Sequence, residues 1–298
     1  MVQVSTIAEP SSSNVDAILA GLTPFDDVFL LPLANGCKEI GELLLRIVPN
    51  AAGEKVTEVT APCPLLAPGI KGSIPDIRVD CESGNVYLFE VQRDSSKLEV
   101  NRFTYVANRI DAMVAKPGQD YSERPDTTLC AIYQDGGPAK DTMFRRIALR
   151  FEDEDDETGD EKKGKTYWLG EHQYKYVLNG AYEDTEETGR TLFGDIMHDF
   201  RCSEPDKMRC PEIRERAIFL KQREEGRKIM SKAIREAFKT ELEEARAASY
   251  AAAETETQRK IARNFIAQGL PYPAIAEGTG LSEDEVRAIA GESDESAA

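Results

Sequence analysis

The chain has 298 residues, 41% of them hydrophobic and 31% charged, with a formal net charge of −17. These proportions exclude a disordered or collagen-like polymer and suit one or two globular domains with a heavily charged surface. No run approaches the ~20 apolar residues that cross a bilayer, and six cysteines without a C-x-x-C pair, beside two histidines, exclude the usual zinc spacings.

An acidic balance opposes phosphate binding, but it is uneven. Residues 1–150 carry 15 basic and 20 acidic side chains, a net of −5, and the remainder carries −12. Any nucleic-acid contact is therefore expected in the N-terminal half. The opening MVQVSTIAEPSSSN has neither a basic start nor a long apolar segment. We expect no signal peptide, free thiols and a cytoplasmic protein, nucleoid-associated if it acts on DNA.

Residues 1–20 are expected to form a disordered leader. Residues 21–36 are apolar with turn residues at both ends, and Ile40, Leu43, Leu44 and Ile47 predict a helix over Cys37–Val48. Three strands are predicted next, over Lys55–Thr60, Ser73–Asp80 and Asn85–Gln92. The last two are joined by the hairpin turn Glu82-Ser83-Gly84-Asn85. The stripe Leu98, Phe103, Val106, Ile110 and Met113 predicts a helix over Lys97–Ala115, stopped by Pro117-Gly118. Thr127–Tyr133 predicts a fourth strand, and Tyr174–Leu178 an edge strand. This order implies an α/β domain over 21–200, a small mixed sheet flanked by helices, with an acidic solvated loop at 152–163.

Residues 205–257 are charged, Ala-rich and nearly free of Gly and Pro, the pattern of long helices. Residues 258–292 have helix-turn-helix proportions, with Gly280 at the turn and Ser282 and Glu285 as a capping box. The last helix begins Ser282-Glu283-Asp284-Glu285, which would repel phosphate, so we expect a packing or dimerisation element and a homo-oligomer formed through these C-terminal helices.

The chemistry gathers at the hairpin. Alternation puts Glu90 and Gln92 on one face and Val91 on the other. A turn near Ser83-Gly84 places Asp76 across from residues 90–92, so two carboxylates and an amide share one small space. Half-burying two like charges costs several kcal/mol, and a cation between them relieves it. Mg²⁺ takes carboxylate oxygens, waters and a substrate phosphate. The competing interpretation, a hairpin with polar residues on its solvent face, is opposed by the continuous apolar run Val86-Tyr87-Leu88-Phe89, which marks a strand buried on both faces.

Pro75-Asp76 followed by Glu90-x-Gln92 resembles the PD-(D/E)XK nuclease signature in its E-x-Q form. The context resembles the recombination-promoting nuclease and putative transposase family. Its features are matched by Asp26-Asp27-Val28-Phe29, by Arg102 and Tyr105, by Gly118-Gln119-Asp120-Tyr121 and Pro125, and by Gln268-Gly269-Leu270 with Ala274–Ser282. The resemblance implies a restriction-endonuclease-like core cleaving DNA phosphodiesters with Mg²⁺ or Mn²⁺. By it, Asp76, Glu90 and the Val91 carbonyl hold metal, and Gln92 stands at the usual Lys position. Two departures are Leu30, where the family has Lys, and Gln92, which lacks the positive charge that would steady the transition state. The alternative class is a non-cleaving member acting as an oligomeric interaction module. Asp80, Asp27, Asp26 and Glu42 are further candidate carboxylates, and Arg102 and Arg109, seven apart on one helix, are candidate phosphate contacts or salt-bridge partners.

Overall fold

The computed structural model describes residues 12–65, 74–95, 100–147 and 172–295. The chain divides at Ile234–Arg235 into two compact units.

In the N-terminal unit, α1 (Ser12–Gly21), α2 (Asp27–Ala34) and α3 (Lys38–Leu45) precede β1 (Val56–Thr60), β2 (Ile77–Cys81) and β3 (Val86–Gln92). There follow α4 (Val100–Val114), β4 (Thr127–Tyr133), β5 (Phe144–Arg146), β6 (Gln173–Asn179), α5 (Leu192–Phe200), α6 (Pro211–Gln222) and α7 (Glu224–Ala267), which runs on into the second unit. The strands form one six-stranded mixed sheet in the order β1-β2-β3-β4-β6-β5. β2 runs antiparallel to both β1 and β3, β3, β4 and β6 are parallel, and β5 returns antiparallel to β6.

Strand alternation sends successive side chains to opposite faces, and both faces are covered. Tyr87, Phe89 and Val91 of β3 join Ile77, Val79, Cys130 and Ile132 in a large core with Phe29, Leu33, Leu43 and Leu44 from α2 and α3. Val86 and Leu88 point the other way and pack with Leu129 against Val106, Ala107 and Ile110 of α4. The sheet is thus sandwiched between helices, and β3, buried on both faces, is a central strand.

The hairpin between β2 and β3 turns on Gly84 (φ +88°), a left-handed position that glycine adopts without steric cost. The Gly84 N–H donates to the Cys81 carbonyl at 3.0 Å. That geometry fixes the register at Ile77 opposite Phe89 and Val79 opposite Tyr87.

Several expectations are corrected. The leader is helical from Ser12, because Val15 and Leu19, four apart on one face, are buried in the main core. Tyr174–Leu178 lies inside β6, which is not an edge: β4 and β5 flank it. The edge on that side is β5, three exposed residues that patterning does not signal. The N-terminal unit extends to Ile234 rather than ending near 200. Ile213, Ala217 and Leu220 of α6, with Met230 and Ile234 of α7, complete its core. The first three span two helical turns on one stripe, the pattern of a core-facing helix. The acidic stretch 152–163 lies outside the described residues.

The C-terminal unit packs the end of α7 with α8 (Tyr272–Thr279) and α9 (Glu283–Glu295) around Ala262, Ile275, Val286 and Ile289. Gly280 ends α8 in the left-handed conformation (φ +74°). The capping box forms: the Glu285 N–H donates to Ser282 Oγ at 3.3 Å, and the Ser282 N–H donates to Glu285 Oε2 at 2.8 Å. Among the described residues, no helix is long and apolar enough to cross a membrane.

Candidate metal centre

The site lies where β2 begins and β3 ends. The register continues as pairs whose numbers sum to 166, so Asp76 falls opposite Glu90 and Pro75 opposite Val91. In an antiparallel ladder, alternate pairs exchange two hydrogen bonds. Cys81 N–H donates to the Asn85 carbonyl, so the bonded pairs are the odd-numbered ones, and the next in line is Pro75 with Val91.

Proline breaks that pair twice over. It has no N–H to give the Val91 carbonyl, and its own carbonyl accepts from Cys63 N–H at 2.9 Å. The Val91 N–H turns instead to Asp76 Oδ2, at 2.6 Å. The Asp76 carboxylate thus replaces a strand carbonyl, and the Val91 carbonyl is left without a ladder donor beside it. The Pro-Asp pair therefore ends the ladder so as to gather a carboxylate and a backbone oxygen in one place.

Glu90 completes the group. It is only 5% exposed and lies on the α4 face, across the parallel pairing from Ala131. Its Oε1 is buried with no hydrogen-bond partner among the described residues, and its Oε2 meets Arg102 Nη2 of α4 at 3.4 Å. Burial, then repulsion from Asp76, pushes the Glu90 carboxyl up to about 8, against a smaller opposing pull from Arg102. Burial pushes the Asp76 carboxyl up to about 7, although the Val91 N–H favours its charged form. Each group repels charge on the other, so the pair titrates as a unit. Asp27, on the first turn of α2, adds repulsion to both, and its own carboxyl is raised by desolvation.

Beside Glu90 is a cavity of about 140 Å³ between the ends of β3 and β4 and the first turns of α4. Its lining is Glu90, Gln92, Arg102, Phe103, Val106, Leu129, Ala131 and Tyr133.

No known family model, curated protein or solved structure matches the chain.

Asp76, Glu90, Val91, Gln92 and Arg102 are brought together, with Asp27 near enough to act on the pair through its charge. The other candidates are not. Asp80 is clamped by Arg78, which donates through Nε at 2.8 Å and Nη2 at 2.6 Å. Glu42 is exposed on α3 and borders a separate wide cleft. Asp26 accepts from Thr23 N–H at 2.7 Å and pairs with Arg93. Arg109 is buried, and its Nε and Nη2 both donate to the Leu65 carbonyl, tying α4 to the chain after β1. His172 and His198 each contact one carboxylate, of Asp126 and Asp199, away from this group.

Phe103, Ala131 and Tyr133 were not singled out from the sequence. Their only signals were the strand run Thr127–Tyr133 and the helical stripe containing Phe103, both of which read as ordinary core.

Three hard oxygen donors, two of them carboxylates, suit Mg²⁺ or Mn²⁺ rather than a softer metal. The unpartnered Glu90 Oε1 and the raised carboxyls fit a cation between Asp76 and Glu90. Among the described residues, no cluster of three or more His, Cys, Asp or Glu side chains forms, so a cation here relies on backbone oxygen, water or substrate to complete its shell.

Proposed function

We propose that the protein is a divalent-metal-dependent nuclease hydrolysing DNA phosphodiesters, with a PD-(D/E)XK-like core. The observation that carries this proposal is the pair of half-buried Asp76 and buried Glu90, with one Glu90 oxygen unpartnered among the described residues, at the end of a ladder interrupted by Pro75. A protein keeps two mutually repelling carboxylates half out of water when something cationic uses them.

In this proposal Asp76, Glu90 and the Val91 carbonyl hold Mg²⁺ or Mn²⁺. When bound, such an ion polarises a phosphate and lowers the pKa of a coordinated water. Gln92 shares the face of Glu90, and its amide orients water or a phosphate oxygen. It takes no proton, because an amide has no suitable pKa. Arg102 is half exposed beside Glu90, so its guanidinium is free to swing to a non-bridging phosphate oxygen, a charge-assisted contact. Asp27 disfavours a second negative charge unless the cation is present.

The test is plasmid cleavage by the full chain with and without Mn²⁺, beside Glu90→Ala, together with Mn²⁺ binding by calorimetry. Metal-dependent nicking that vanishes in the variant supports the nuclease.

A second proposal, a non-cleaving interaction module that assembles through its C-terminal helices, is favoured by the absence of a third carboxylate ligand among the described residues and by the uncharged Gln92. No Mn²⁺ binding at millimolar metal would favour it.

A further inference from the structure

The cavity beside Glu90 is not needed to hold a cation. It exists because β4 places a small residue, Ala131, directly across from Glu90, while Leu129 and Tyr133 stand to either side of Ala131. Phe103 and Val106 of α4 close the wall opposite the sheet.

The walls are aromatic and aliphatic, whereas the polar groups, Glu90, Gln92 and Arg102, lie toward the chain ends of β3 and α4. A ligand entering here would bury a flat apolar body and keep a polar edge toward Gln92 and the carboxylate pair.

Size narrows the choice. At about 140 Å³, the cavity is far below the ~300–1,000 Å³ of pockets for drug-sized molecules. It is close to the ~150 Å³ engineered cavity that holds a single benzene ring. A fused purine is a poorer fit to that space than a single ring, and an aliphatic side chain would leave the Gln92 amide at its polar end unanswered. A pyrimidine ring has the right size and carries donors and acceptors on its edge for an amide that offers both.

We propose that this cavity receives one unstacked pyrimidine base of a single-stranded or locally opened nucleic acid, with an adjoining phosphate then lying at Asp76 and Glu90. The proposal rests on the nuclease assignment for the role of that phosphate, but the base pocket itself is testable without cleavage. Stacking on an aromatic side chain contributes roughly 1–3 kcal/mol per base. A paired base must first be extruded, at a cost of a few kcal/mol. Single strands should therefore be preferred over intact duplex by tenfold or more.

The experiment uses short oligonucleotides that are abasic except at one central position, which carries thymine, cytosine or adenine. Affinity for the full-length protein is read by fluorescence anisotropy in Ca²⁺, and cleavage separately in Mn²⁺. The expected result is binding of the thymine and cytosine strands at least tenfold tighter than the adenine strand, the wholly abasic strand and a matched duplex. Ala131→Leu, which fills the cavity, should erase that preference. Phe103→Ala, which opens its wall, should admit adenine and narrow the gap to under threefold. Equal affinity for all strands, a preference that survives Ala131→Leu, or no binding overturns the proposal. Should either variant fold poorly by its thermal melt, the wild-type comparison among strands decides alone. Selective binding without cleavage would sustain the pocket and sink the nuclease, and cleavage without selectivity would do the reverse.

Discussion

Replacing Glu90 by Gln should stabilise the metal-free protein while removing the proposed nuclease activity, and the gain should grow with pH. The carboxyl titrates near 8 in the fold, against 4.5 in the unfolded chain. A carboxyl raised on folding means that the native state holds the proton longer. Between about pH 4.5 and 8 the native state binds more protons than the unfolded state, so its stability falls as pH rises. The relief is greatest below pH 4.5 and is lost by pH 8. Each pKa unit corresponds to about 1.4 kcal/mol, which sets an upper bound of roughly 3 kcal/mol at pH 7; water penetration and the shared titration with Asp76 reduce it. The glutamine amide keeps the shape but brings buried N–H donors, which cost about 1–3 kcal/mol if unpaired. The net difference at one pH is therefore less informative than its slope. Urea denaturation in EDTA at pH 5, 7 and 9 should show the variant gaining on the wild type by at least 1 kcal/mol across the range. Addition of Mn²⁺ at pH 9 should restore the wild type and leave the variant unchanged. A difference between the two proteins that does not vary with pH would refute the argument that Glu90 is held against repulsion.

Four other perturbations test the surrounding logic. Asp76→Asn should abolish Mn²⁺ binding and lower cleavage more than a hundredfold, by calorimetry and plasmid assay; retention of both would place the ligands elsewhere. Asp80→Asn should leave cleavage within threefold of wild type, because Asp80 is engaged by Arg78. Lys221 donates to the carbonyls of Ala20 (3.3 Å), Leu22 (2.6 Å) and Ser203 (2.6 Å). Lys221→Met orphans all three and should cost about 3 kcal/mol in urea unfolding; a loss under 1 kcal/mol would show that water replaces the ammonium. Ser282→Ala removes the cap of α9 and should lower the protection of its amides against hydrogen exchange by about 1 kcal/mol, without touching the N-terminal unit.

Local chemistry was legible from the chain alone. Gly84 set the hairpin, and strict alternation then assigned Glu90 and Gln92 to one face and Val91 to the other. The continuous run Val86–Phe89 announced a strand covered on both sides, and Ser282 with Glu285 marked the start of α9. Each depends on residues within a few positions of one another, where backbone sterics and a two-residue period leave little freedom.

What joins distant segments was not legible. No local pattern says that Ala131, 41 positions after Glu90, stands directly across from it, because a parallel pairing is set by the packing of the intervening crossover. The cavity therefore could not be read from the sequence, nor could the interior place of β6 between β4 and β5. Arg109 and Asp80 looked like surface charges free to meet a ligand, and only tertiary contacts with Leu65 and Arg78 use them up. The role of Pro75 falls between the two cases. Its missing N–H is a property of the residue itself, but only the β2–β3 register shows that the donor it withholds is the one the Val91 carbonyl would have used.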